Sequence, residues 1–108
     1  MGEDSFRSVT PYILTVNARR DLKSIWRYIG EDSLRHADLV EEAVLATCRS
    51  AAAMPRLGHR RQGVRNPDVL FLAVQGYERY SIAYLGNSQP LRVVRVVHGA
   101  RDVPKLFR

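Results

Sequence analysis

The sequence predicts a single small α+β domain in which a helical hairpin packs on a small antiparallel sheet, in the order β-α-α-β-β-β. Two observations carry this prediction. Two consecutive segments have the apolar periodicity of amphipathic helices, and three later β-rich segments are joined by short turns. The 108 residues leave room for one core, and a composition that is 45% hydrophobic and 26% charged is typical of a folded chain. We expect one domain over residues 12–108, preceded by a flexible N-terminal extension over residues 1–11.

The first predicted elements are a short strand and a helix. Tyr12–Val16 is a β-rich run, and Asn17 directly after it is a favourable helix N-cap. From Ala18 onwards the apolar residues fall on one helical face until Gly30, which ends the helix. Trp26 lies on this inward stripe, so we expect it in the core.

The second predicted helix completes an antiparallel hairpin. Asp32 or Ser33 can cap its N-terminus, and the same apolar periodicity then continues until Met54 and Pro55 stop it. Cys48 falls on the inward stripe, where a buried structural thiol is expected.

The rest of the chain predicts a loop and three strands. Residues 55–68 hold two Pro, two Gly and four Arg without periodicity, which is typical of a loop. Val69–Val74, Arg79–Leu85 and Leu91–Val97 are apolar or β-rich runs separated by turn residues. Short connections of this kind predict an antiparallel meander, and the helical hairpin must cover one of its faces.

The positive charge is concentrated in two stretches. Lys and Arg number 17 against 11 Asp and Glu, a formal net charge of +6. Residues 54–68 contribute +3 and residues 91–108 contribute +4, while the other stretches nearly balance. If the two stretches meet in the fold, they form a cationic patch suited to phosphates or to an acidic protein; a solubilising surface is the alternative.

The sequence lacks the motifs and residues that several classes of function require. It holds neither a G-x-G-x-x-G nor a Walker phosphate loop, and its single cysteine excludes an intramolecular disulfide and a thiolate zinc cluster. With three scattered histidines, we expect no metal and no cofactor. No stretch approaches the ~18 apolar residues of a membrane span, and the N-terminus is acidic and polar, so we expect a cytoplasmic protein.

The remaining candidate chemistry is an array of arginines with aromatic neighbours. Such sets can bind phosphate backbones or support metal-free RNA cleavage, which needs an acid–base group and cations that stabilise the phosphorane. His98, with Arg95 and Arg101, is the candidate set for cleavage. A hydrogen-bonded structural histidine at a strand end is the competing interpretation of His98.

Arg95 interrupts an otherwise apolar strand, on a face that period-two alternation shares with Val93 and Val97. A buried and unpaired charge there would be costly. Either Arg95 pairs with an acid such as Glu78 or Asp102, or its face of the sheet is open and binds an anion.

Four segments of the sequence resemble the RelE/ParE toxin superfamily. They are the strand Tyr12–Val16 with the following ARRDLKSIWRYI, the MPRLG step, the RYSIAY strand, and above all RVVHGARDV over residues 95–103. The resemblance covers residues 12–107, and the order β-α-α-β-β-β is the fold that it implies.

The resemblance implies two branches of function. RelE-like members cut messenger RNA on the ribosome with a basic residue on the middle meander strand and a Tyr near the C-terminus, where this chain has Ser81 and Phe107. ParE-like members, which the chain resembles more closely, inhibit DNA gyrase and trap it with its DNA cut. The resemblance therefore implies a gyrase-binding toxin and not an enzyme, with a target surface formed by Arg95, Arg101, Lys105 and Phe107.

The resemblance also implies a partner that holds the toxin inactive. We expect a ParD-like ribbon-helix-helix antitoxin whose acidic tail folds over the hairpin and sheet, with operator DNA bound only through the antitoxin and with no membrane partner. A RelE-like endoribonuclease and a detoxified module that only binds its antitoxin are the alternatives. The residues expected to contact the antitoxin are Leu22, Trp26, Arg56, Arg60, Arg61 and Arg79.

Overall fold

The order of elements is the predicted one. The structure, a computed structural model, describes residues 10–99; most of the predicted N-terminal extension lies outside this range. The elements are β1 (Tyr12–Leu14), α1 (Val16–Gly30), α2 (Leu34–Ala53), a 3-10 turn (Pro55–Leu57), β2 (Val69–Ala73), β3 (Tyr80–Leu85) and β4 (Leu91–His98). The α+β prediction, with a helical hairpin on a four-stranded sheet, is confirmed.

The sheet is mixed and not wholly antiparallel. Its strand order is β1-β4-β3-β2, and the meander β2-β3-β4 is antiparallel as predicted. β1, however, pairs in parallel with β4, with Tyr12 beside Leu91 and Leu14 beside Val93. Parallel neighbours need a long connection, which the two helices and the meander provide. No local sequence signal records this pairing, so the prediction of an antiparallel sheet was wrong for β1.

Thr15, and not Asn17, caps α1. Its hydroxyl accepts the Ala18 N–H at 3.2 Å and donates to the Val94 carbonyl at 3.0 Å, so one side chain joins the helix start to β4. The helix therefore begins at Val16, which the sequence analysis had placed in the strand. At α2, Ser33 is the N-cap of the two candidates, with its hydroxyl accepting the His36 N–H at 3.1 Å.

The main core lies between the helices and one face of the sheet. Ala18, Val44 and Cys48 from the helices pack with Ile82 and Val93 from the strands, and all five are buried. The expected burial of Cys48 is confirmed. No helix within residues 10–99 is long and apolar enough to cross a bilayer.

Trp26 is half-buried, so its expected place in the core was wrong. Its indole Nε1–H donates to Asp38 Oδ1 at 2.8 Å across the hairpin. The polar edge of the ring thus turns toward the outer side of the two helices, which is common for an aromatic residue that keeps a hydrogen-bonding group.

Burial of Cys48 predicts a loss of stability at alkaline pH. Desolvation raises the pKa of this thiol from 9.0 to about 12. A pKa that is higher in the folded state favours folding below the unfolded pKa, and this contribution falls as pH rises from 9.0 toward 12. Between about pH 8 and about pH 10.5, we expect wild type to lose about 2 kcal/mol more unfolding free energy than Cys48→Ala. Urea titrations of both proteins at the two pH values measure this; equal losses would contradict it.

The other face of the sheet carries a second, smaller core. Val64, Val69, Phe71, Ala83 and Val97 form it, and the loop segment of residues 58–68 lies over it. We call this side of the sheet the loop face. The loop prediction for residues 55–68 therefore holds for most of the segment, apart from the 3-10 turn and an isolated bridge between His59 and Phe71.

Tyr84 ties the start of this segment to the sheet. Its ring is fully buried in the main core, while its hydroxyl donates to the Pro55 carbonyl at 2.6 Å and accepts the Gly58 N–H at 2.8 Å. Burial raises the pKa of Tyr84. One side chain therefore satisfies two backbone groups that the irregular segment cannot pair for itself.

Candidate functional site

Arg95 is held by Asp21 of α1. Its Nε donates to Asp21 Oδ2 at 2.7 Å and its Nη2 donates to Oδ1 at 2.9 Å, a bidentate pair in which the side chains are 20% and 14% exposed. These hydrogen bonds raise the pKa of Arg95. The expected partner Glu78 instead accepts the Gly76 N–H in its own turn, and Asp102 lies outside the described residues. Of the two alternatives that the sequence leaves open for Arg95, the structure shows the pairing with an acid, and that acid is Asp21 and not Glu78.

A β-bulge explains why the face that the sequence analysis assigned jointly to Val93, Arg95 and Val97 was wrong for Val93. Tyr84 pairs with Val93, and Ala83 pairs with Arg95, so Val94 is an extra residue in β4. The bulge breaks the period-two alternation that the sequence analysis assumed. Val93 consequently packs in the main core and Val97 in the loop-face core, on opposite sides of the sheet.

Asp21 is the structural residue that the sequence analysis missed. It also accepts the Val96 N–H at 3.0 Å, beyond the point where the short strand β1 ends. A carboxylate thus takes the place of a neighbouring strand at this edge. The available signal was its position between Ala18 and Leu22 on the inward stripe of α1, where an acid requires a partner.

His98 lies at the end of β4, opposite Tyr80. The two rings meet edge to face with centroids 5.2 Å apart, and Tyr80 belongs to the main core. His98 packs against Tyr80, Arg95 is bound to Asp21, and Arg101 lies outside the described residues, as do Lys105 and Phe107.

The outer side of the helical hairpin carries a shallow crease of about 360 Å³. Leu22 is only 7% exposed and forms its floor, while the half-buried Trp26 forms one wall. Arg19, Lys23 and Glu41 flank it. An apolar depression bordered by two cations can receive an apolar side chain from a partner that also carries acids.

The predicted arginines do not join Leu22 and Trp26 in one surface. Arg61 lies on the loop face, with its guanidinium 4.5 Å from the centre of the Phe71 ring and its Nη2 donating to Ser81 Oγ at 3.3 Å. Arg56 and Arg60 are exposed on the segment beside it. Arg79 lies in the turn between β2 and β3, where it lines a groove with Tyr28 and His36. A single partner would have to extend around the sheet to contact all six predicted residues.

The turn between β2 and β3 borders a groove that was not predicted. The groove has a volume of about 640 Å³ and is lined by Tyr28, His36, Tyr77 and Arg79 among others. His36 and Tyr77 meet edge to face at 5.8 Å, and Tyr28 is 74% exposed. The signal in the sequence was the pair of tyrosines that flank Arg79. Within residues 10–99, no group of three metal-ligating side chains lies close enough to hold an ion.

This arrangement of two helices on a mixed sheet is the fold of the RelE/ParE superfamily of small toxins. A family model described as "ParE toxin of type II toxin-antitoxin system, parDE" matches residues 12–103, and the chain belongs to this family. A solved structure described as the chromosomal ParDE TA system from P. aeruginosa is similar, with a TM-score of 0.65 and 16% identity over 81% of this chain and 92% of that chain. No curated protein matches the sequence. The predicted resemblance is confirmed.

Proposed function

We propose that this ParE-family toxin inhibits DNA gyrase by binding it and trapping its cleaved-DNA state. The family match over residues 12–103 is the observation that carries this proposal. In it the chain acts through a binding surface and not as an enzyme. Lys105 and Phe107, which follow β4 in the sequence, contact the target together with Arg101. Arg95 takes a different role from the one expected, because its pairing with Asp21 makes it a residue that holds the end of β4 in position.

The proposal includes neutralisation by a ParD-like antitoxin with an acidic tail. Among the described surfaces, the crease at Leu22 and Trp26 is the best suited to anchor that tail, because it combines an apolar floor with the cations Arg19 and Lys23. The net charge of +6 would speed encounter with an acidic segment. The antitoxin, and not this chain, would then bind operator DNA.

One observation favours the endoribonuclease alternative. The sequence alone gives Ser81 no cation, but Arg61 reaches its hydroxyl at 3.3 Å. His59 lies on the same segment as Arg61 and pairs with Phe71 through backbone hydrogen bonds, and imidazole is the side chain that most often serves in acid–base catalysis. Arg61 and His59 would therefore replace Arg95 and His98 in a cleavage mechanism.

The gyrase proposal predicts that the purified toxin blocks supercoiling of relaxed plasmid by gyrase and ATP and that cleaved DNA accumulates. The double variant Lys105→Glu/Phe107→Ala should lose most of this inhibition. Arg35→Glu, a charge reversal of an exposed residue on α2, is the control and should retain it. Undiminished supercoiling without accumulation of cleaved DNA would contradict the proposal.

Induction of the toxin in cells distinguishes gyrase inhibition from the endoribonuclease and from a module that only binds its antitoxin. Mapping the 5′ ends of transcripts after induction should show intact messages during growth arrest if gyrase is the target. New 5′ ends that disappear in Arg61→Gln would support the endoribonuclease. Unaffected growth with soluble protein would indicate a module that only binds its antitoxin.

A further inference from the structure

The charge of the described chain is divided unevenly between its two layers. In residues 16–53, which form the helical layer, six basic residues balance six acidic ones. Residues 54–99, which form the loop segment and strands β2, β3 and β4, hold seven arginines and only two acidic residues, Asp68 and Glu78. Hence the net positive charge of the described residues belongs to the layer that includes the loop face.

Three arginines bring this charge to the loop face. Arg61 is fixed over Phe71, and Arg65 is exposed on the same segment, next to Val64 of the loop-face core. Arg92 is exposed on β4 directly opposite Leu85, which packs against that core. Cross-strand partners share a face, so Arg92 belongs to the same surface as Arg61 and Arg65.

These three charges are not neutralised within the described chain. The ion pairs found among residues 10–99 are Arg49 with Glu42 and Arg95 with Asp21. Arg61 is oriented by an aromatic ring and a hydroxyl, neither of which cancels its charge. An arginine that is positioned without a carboxylate retains its full attraction for an anionic ligand.

The spacing of these arginines favours a ligand that carries several phosphates. Arg61 is attached at Ser81 and Arg92 lies opposite Leu85, four residues further along β3. At the usual rise of a strand these positions are about 14 Å apart. Successive phosphates of an extended backbone can contact both positions at once, so a ligand of this kind matches the spacing better than one phosphate does.

The loop face also has little to offer an apolar side chain. Phe71, Ala83 and Val97 are at most 1% exposed, because the loop segment covers them. A peptide partner usually adds apolar anchors to its charges, whereas a nucleic acid backbone is held by charge alone. The surface therefore fits a nucleic acid better than an acidic polypeptide.

We infer that the loop face, through Arg61, Arg65 and Arg92, binds the phosphate backbone of DNA directly. This inference rests on the proposed function, since the DNA in question is the DNA held by the topoisomerase. The toxin would then contact both the enzyme and its DNA. The trapped complex would then be stabilised from two sides, and its lifetime would depend on salt.

The test measures binding of a fluorescein-labelled duplex of about 20 base pairs by anisotropy between about 50 and 200 mM salt. Arg65→Gln/Arg92→Gln, in which both residues are exposed, should weaken binding roughly 25-fold and reduce the salt slope by about two. Arg27→Gln/Arg35→Gln removes the same charge from exposed positions of the helical layer and should change binding less than about twofold.

Equal weakening by both double variants, or no binding at about 50 mM salt, would overturn the inference. The inference would also be overturned if binding of a glutamate-rich peptide depended on Arg65 and Arg92 more strongly than binding of the duplex does. The loop face would then recognise acidic polypeptides. The gyrase assay is independent. If Arg65→Gln/Arg92→Gln still inhibits gyrase with unchanged salt dependence, the DNA contact is refuted but the proposed function stands. If the duplex binds through these arginines but gyrase is not inhibited, the DNA contact stands and the proposed function is refuted.

Discussion

Asp21→Ala is expected to lower the free energy of unfolding by about 3 kcal/mol. The substitution leaves the guanidinium of Arg95, only 20% exposed, without its carboxylate, and the Val96 N–H without its acceptor. Removal of one partner from a buried ion pair costs more than the pair itself contributes, because the remaining charge stays desolvated. Urea denaturation followed by circular dichroism measures the change.

A double-mutant cycle identifies the cause. Arg95→Met removes the charge that Asp21→Ala leaves unpaired. The loss of unfolding free energy in Asp21→Ala/Arg95→Met should therefore be smaller than the sum of the losses in the two single variants by at least about 1 kcal/mol. Asp21→Asn keeps an acceptor for the Val96 N–H and should fall between wild type and Asp21→Ala. Additive effects, or a loss below about 1 kcal/mol for Asp21→Ala, would show that the pair does not hold the edge of β4.

The elements of this fold could be predicted from the sequence because their signals are local. Apolar periodicity defined α1 and α2, and turn residues separated β2, β3 and β4. Cap choice already depended on tertiary context. Thr15 and Asn17 are both competent N-caps, and the Val94 carbonyl favours Thr15.

The candidate site could be predicted less well because its contacts are distant in sequence. Asp21 and Arg95 are 74 residues apart, and β1 meets β4 across both helices and the meander. The bulge at Val94 reverses the face of every later residue in β4, so one unseen irregularity misplaced Val97 relative to Val93. Arg61 was recognisable in the sequence as a basic loop residue, but its stacking on Phe71 depends on the folded chain.

Tyr84→Phe is expected to cost about 2 to 4 kcal/mol of unfolding free energy, although it deletes a single oxygen atom. The Pro55 carbonyl and the Gly58 N–H both lose their partner, and the fully buried ring leaves no path for water to replace the hydroxyl from the core side. Tyr28→Phe is the matched control, since Tyr28 is 74% exposed and should tolerate the change within about 0.5 kcal/mol. Thermal and urea unfolding of both variants measure the difference, and equal stabilities would contradict the role assigned to Tyr84.

Gly58→Ala tests the same junction from the backbone side. A Cβ at this position would meet the Phe71 carbonyl oxygen and Tyr84 Cζ, both at 2.9 Å, and would also strike the Tyr84 hydroxyl. The hydroxyl can be removed but the Phe71 carbonyl cannot, so Gly58→Ala should remain destabilising in the Tyr84→Phe background while costing less than it does in wild type. Because Gly58 begins the segment that carries Arg61 and Arg65, amide hydrogen exchange in both variants should rise first at Gly58 and His59. Faster exchange throughout β3 without a selective rise there would instead mean that Tyr84 stabilises the sheet as a whole and does not fasten the loop segment to it.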